Sequence, residues 1–132
     1  TSKVVFEKSV WITQSFEARG KTETNLILSN NYLEIMVYND NNVSKHIICY
    51  DQMSNQFNRW EFKSDGSNSF WIGKWNDSDN SMTWDFIDFT NSGISGEIIE
   101  NFKSDKIIKT RVIMKDKDGN SLLRINSTKE KT

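Results

Sequence analysis

The chain has 132 residues, no proline and one cysteine, enough for a single domain with its own core and too few thiols for an internal disulfide. Seventeen Lys and Arg nearly offset eighteen Asp and Glu, and the net charge of −1 argues against general binding to nucleic acid or an anionic membrane surface. No apolar run reaches the length of a membrane-spanning helix, and 36% hydrophobic content with 12% aromatics suits sheets that keep one face wet.

The first sixteen residues carry Val4-Val5-Phe6 and Ser9-Val10-Trp11-Ile12-Thr13, which fits one or two opening strands. Arg19-Gly20-Lys21 reads as a turn, residues 22–28 as a strand, and Ser29-Asn30-Asn31 as its end. Residues 32–38 alternate Leu33, Ile35 and Val37 against Glu34, Met36 and Tyr38 with period two, and the polar run at 39–42 closes that strand. The next strand, 45–51, carries the single histidine, His46, and the single cysteine, Cys49; flanking Ile48 and Tyr50 give that thiol the setting of a structural residue. In residues 57–63, Trp60 and Phe62 share one face and Arg59 and Glu61 the other.

Ser64-Asp65-Gly66-Ser67 is a turn, because Asp and Gly tolerate positive φ. A strand over 69–75 follows, then the polar run 76–80, then residues 81–89 with Met82, Trp84 and Phe86 in phase. A turn at 90–95 leads to strands at 96–102 and 106–115, and the Asp118-Gly119 hairpin leads to the last, 121–127. About nine strands at roughly ten-residue spacing, without a helical period, predict an antiparallel up-and-down meander. Such a meander removes its exposed edges by closing into an all-β barrel; a two-sheet sandwich is the alternative. The chain starts without Met and carries no signal peptide, which fits a processed or trimmed product and leaves the compartment, cytoplasmic or exported, open.

Tyr50-Asp51, Trp60, Gly73-Lys74-Trp75, Met82-Thr83-Trp84 and the late Asp118-Gly119, in this order, resemble a bacterial lipocalin-like family, domain of unknown function 1579. The likeness runs from about Thr22 to the end of the chain. It departs at Tyr38-Asn39-Asp40, where relatives tend to carry Gly and acidic residues, and in its short N-terminal lead. The resemblance implies a calycin-type barrel and no activity transferable residue by residue.

Small barrels often hold one small molecule in the mouth. The aromatic surplus therefore nominates Trp60, Phe62, Trp71, Trp84 and Phe86 as cavity liners, with Tyr38 and Tyr50 as polar-tipped ones and Met82 in phase with them. Arg111 is the candidate anchor for a ligand carboxylate, since guanidinium is always charged and bidentate. The other strand charges, Arg59, Glu61, Glu100 and Arg124, are expected mostly to face water in cross-strand pairs. His46 has no companion at metal-ligand or haem-ligand spacing, so no metal or cofactor is expected.

No Gly-x-Ser-x-Gly, phosphate loop or His-Glu-x-x-His is present, and an enzyme would need a constellation that spacing does not reveal. Two functions compete. One is a barrel binding an apolar or amphipathic small molecule. The other is a filled barrel that self-associates, as a homodimer, or binds a protein partner through the strand Phe70–Trp75, which is apolar on both faces.

Overall fold

The computed structural model describes residues 2–40 and 42–131; Asn41 of the predicted turn at 39–42 and Thr1 of the opening segment fall outside them. Ten strands follow one another: β1 (Ser2–Glu7), β2 (Phe16–Ile27), β3 (Tyr32–Asn39), β4 (Val43–Asp51), β5 (Gln56–Lys63), β6 (Asn68–Asn76), β7 (Ser81–Phe86), β8 (Ser95–Phe102), β9 (Ile107–Lys115) and β10 (Ser121–Glu130). Every neighbour in sequence is an antiparallel neighbour in space, and β1 pairs with β10. The meander is therefore a closed barrel, in which every strand has two partners and none presents an edge. Among the described residues there is no helix, hence none long and apolar enough to cross a membrane.

Side chains directly opposite across an antiparallel pair lie on the same face, so the register divides inside from outside. One inward row runs Leu26, Leu33, Ile48, Arg59, Trp71, Phe86 across β2 to β7. A second runs Phe57, Gly73, Trp84, Ile98, Val112, Ile125, Phe6 from β5 to β1. The buried core collects on the β6–β10 side, where Trp71, Met82, Trp84, Ile98, Met114 and Leu122 pack together. Trp84, at 2% exposure, is its centre. Gly73 is required beneath it: a Cβ there would lie 2.5 Å from the Trp84 ring.

Two stretches differ from the sequence reading. Arg19-Gly20-Lys21 is the middle of the twelve-residue β2, not a turn. Gly20 is there because β2 crosses β3 closely; a Cβ would sit 2.5 Å from the Tyr38 carbonyl oxygen. Residues 9–13 form no strand. The Val10 and Trp11 N–H groups donate to the Ser121 and Leu122 carbonyls, and the Ser9 hydroxyl to Leu122, so this loop docks on the start of β10. The register of β10 shifts there between Ser121 and Leu123, a bulge that brings both Leu122 and Leu123 to the core.

Candidate functional site

The interior changes character between its apolar and charged halves. From β5, Arg59 and Glu61 point inward and are 7% and 9% exposed, contrary to the expectation that strand charges face water. Their outward neighbours are Trp60 and Phe62, on the outer surface with Ile47 and Phe70 as the cross-strand neighbours of Trp60. The sequence fixes that parity but not its sign; burial of two charges rather than two aromatics is possible because each charge finds a partner.

Arg59 is the hub. Its Nε donates to Glu61 Oε1 at 3.0 Å, Nη1 to Glu100 Oε1 at 3.4 Å and Nη2 to His46 Nδ1 at 2.7 Å. Its guanidinium carbon also lies 5.4 Å from the Trp84 ring centroid, a cation–π contact shielded from water. Glu100 Oε1 accepts from Trp84 Nε1 at 2.6 Å, and Glu61 Oε2 from Ser69 Oγ at 3.2 Å, which in turn accepts from Trp71 Nε1 at 2.9 Å. The two buried tryptophans thus join the apolar core to the charged cluster through their N–H groups.

These contacts settle the state of His46. A guanidinium has no acceptor, so Nδ1 carries a lone pair and the ring proton sits on Nε2, which donates to Ser44 Oγ at 3.3 Å. Burial first and the Arg59 charge second push the His46 pKa down to about 4. The 3.7 Å approach of Nδ1 to Glu61 is therefore a contact of a neutral ring, not an ion pair. Burial alone would raise Glu61, but the Arg59 charge and the Ser69 hydroxyl outweigh it and hold the carboxylate below its ordinary range. Lys129 also faces inward, opposite Ile108, and burial lowers its pKa against the pull of Glu100. Two cations, two carboxylates and a neutral imidazole make a polar, nearly neutral interior.

Of the nominated liners, Trp71, Trp84 and Phe86 are on the inner face. Tyr50 is also on it, at the rim, edge-on to Phe57 at 4.9 Å and donating to Asn55 Oδ1. Tyr38 pairs with Lys21 and Val43 on the outside, and Trp60 and Phe62 are outside as well. None of these three lines the interior. Arg111 is likewise exposed on the outer face of β9, because Thr110, Val112 and Met114 take the inward positions. Arg59, Glu61, Glu100, His46 and Lys129 are the interior groups that alternation alone did not single out. Only Arg59 and Glu61 lie on a strand whose opposite face is aromatic, with Trp60 and Phe62; the strands of His46, Glu100 and Lys129 carry no such mark.

The interior is unevenly filled. On the β2–β4 side, inward-facing Leu26 is 60% exposed, and Thr24 and Tyr50 are exposed too. The exposed apolar side chains Leu28 and Met53 lie at the same end of the barrel, where β2 turns into β3 and β4 into β5. Further along the same inner face stand Leu33, Ile35 and Ile48, then His46, Arg59 and Glu61. Among the described residues no group of three or more His, Cys, Asp or Glu side chains converges to hold a metal ion. The arrangement suits recognition: an apolar rim meets fixed, satisfied polar groups, and the one imidazole, its pKa near 4, is neutral at neutral pH. No protein-family model and no curated protein matches the chain.

Proposed function

We propose that the protein is a lipocalin-like barrel that binds a small amphipathic molecule through the mouth between β2 and β5. The observation that carries this reading is Leu26, an apolar side chain directed inward by its register and yet 60% exposed. A filled barrel buries such a residue; an open mouth leaves it for a ligand to cover. In this reading the apolar part of the ligand lies against Leu26, Leu33, Ile48 and Tyr50. Its polar end meets the His46–Arg59–Glu61 group, whose hydrogen-bonding directions are fixed. Likeness to the bacterial lipocalin-like family, domain of unknown function 1579, belongs to the same reading and rests on the motif order from Tyr50 to Gly119.

Intrinsic tryptophan fluorescence tests it, because Trp71 and Trp84 adjoin the charged cluster. Titration with fatty acids, retinoids, haem and an apolar dye should give saturable quenching or a blue shift with at least one amphipathic ligand at micromolar concentration. A flat response across the panel from folded protein refutes the reading.

A second reading is supported by the outer surface. Trp60, Phe70 and Phe89 form a chain of rings with centroids 5.1 and 5.8 Å apart, and Phe89 is 76% exposed. An aromatic row of this kind is what a partner or a second copy would cover. Light scattering across a concentration series separates the readings: a dimer lost in Phe89→Ser supports association through this face, and a concentration-independent monomer removes self-association.

A further inference from the structure

The outer face of the barrel has a hollow of its own, away from the mouth. It lies over β1, β10, β9 and β8, has a volume of about 510 Å³, and is continuous through Arg111 and Asn126 with a smaller hollow of about 240 Å³. Lys3, Lys103, Lys109 and Arg111 line the larger hollow, and among the described residues no carboxylate does. The smaller one adds Arg124 and a single acid, Glu7, which accepts a hydrogen bond from the Asn126 side chain.

The cross-strand neighbours of Lys109 and Arg111 are neutral. Lys109 stands between Thr128 and Asn101, and Arg111 between Asn126 and Ile99. Two lysines elsewhere on the outer face do meet carboxylates, Lys45 with Glu34 and Lys21 with Glu23, each within 3.3 Å. Lys3 alone of the hollow's cations is so paired, with Glu17 at 3.2 Å; Lys103, Lys109 and Arg111 make no ion pair among the described residues. Like charges gathered on adjacent strands repel one another, and a bound anion removes that repulsion. The amides of Asn101 and Asn126 and the Thr128 hydroxyl supply further donors at the same place.

We propose that this outer hollow binds a small molecule carrying two or more phosphate or sulfate groups. Its volume is in the range of small-ligand sites. Among the described residues no aromatic side chain lines it, so it lacks the stacking platform that single-stranded nucleic acid uses, and the net charge of −1 gives no long-range attraction for a polyanion. Lys103, Lys109 and Arg111 line the hollow together and match a ligand with more than one oxyanion. The site is independent of the interior one and stands if the mouth binds nothing.

Isothermal titration with inorganic tripolyphosphate and with a fully sulfated heparin disaccharide, in 0.15 M salt, tests this and separates the two sources of oxyanion. Saturable binding of either should weaken by about tenfold or more in Lys109→Gln/Arg111→Gln, since charge-assisted contacts are lost. It should be unchanged in Lys74→Gln, an exposed lysine on β6 outside the hollow. Absence of binding by both ligands, or equal loss in Lys74→Gln, overturns the proposal. So does an oligonucleotide that binds the same face more tightly than either small ligand.

Discussion

Replacing Arg59 by methionine keeps most of the side-chain volume and removes the one charge that serves three partners. Glu61 would retain only the Ser69 hydroxyl and Glu100 only the Trp84 indole N–H, while His46 Nδ1 would lose its donor. Breaking a buried charge pair from one side costs roughly 3–5 kcal/mol, mostly from the carboxylate left behind. Here two carboxylates are stranded, so the upper half of that range is expected at pH 7.5. The loss should also depend on pH. Without the guanidinium the effect of burial on Glu61 is less opposed and its pKa moves up, so the penalty of this buried charge should ease as pH falls from 7.5 to 5. Urea unfolding at pH 7.5 and pH 5 measures both features, and adding Glu61→Gln should recover part of the stability at pH 7.5. A loss under about 1 kcal/mol, or the same loss at both pH values, would show that the interior charges are not the coupled, dehydrated cluster described above.

Other residues give independent checks. His46 has a folded pKa of about 4 against an unfolded value near 6.5, so the unfolded chain binds the extra proton between those pH values. Stability is then complete above about pH 6.5 and falls as pH drops toward 4. His46→Gln, which keeps an acceptor for Arg59 and a donor for Ser44, should flatten that slope in urea titrations; an unchanged slope assigns it to other groups. Glu61, held low, adds to the loss only at more acid pH, as its own carboxylate titrates. Gly73→Ala forces a methyl group against the Trp84 ring and should cost about 1–3 kcal/mol, read from the midpoint of denaturation; a neutral outcome would mean the ring has room to move. Trp84→Ala should cost about 3–5 kcal/mol at this buried position, and a small loss would contradict a filled core on that side.

The fold was legible because strand spacing and Asp-, Asn- and Gly-rich turns are local signals, and the closed meander follows from hairpin-length connections. Asn55, Asn80 and Asn91 take left-handed backbone in or beside their turns, as that residue type allows. Gly20 misled because a glycine that relieves a close strand crossing has the same letter as one that makes a turn. Residues 9–13 misled because β-rich composition does not say where the backbone donors go, and here they go to the β10 bulge. The site was harder. Alternation on β5 separates Trp60 and Phe62 from Arg59 and Glu61 but does not say which pair faces in. The answer depends on Glu100, His46 and Ser69, brought from three other strands by the register. Such a network has no one-dimensional signature.

The mouth between β2 and β5 is tested most directly by methyl resonances of labelled protein titrated with the amphipathic ligand that gives the strongest fluorescence response. Saturable shifts at Leu26, Leu33 and Ile48, with Ile72 and Ile113 on the outer face unmoved, are the expected result. Shifts confined to the outer-face methyls, or none at Leu26 while ligand binds, would contradict interior binding.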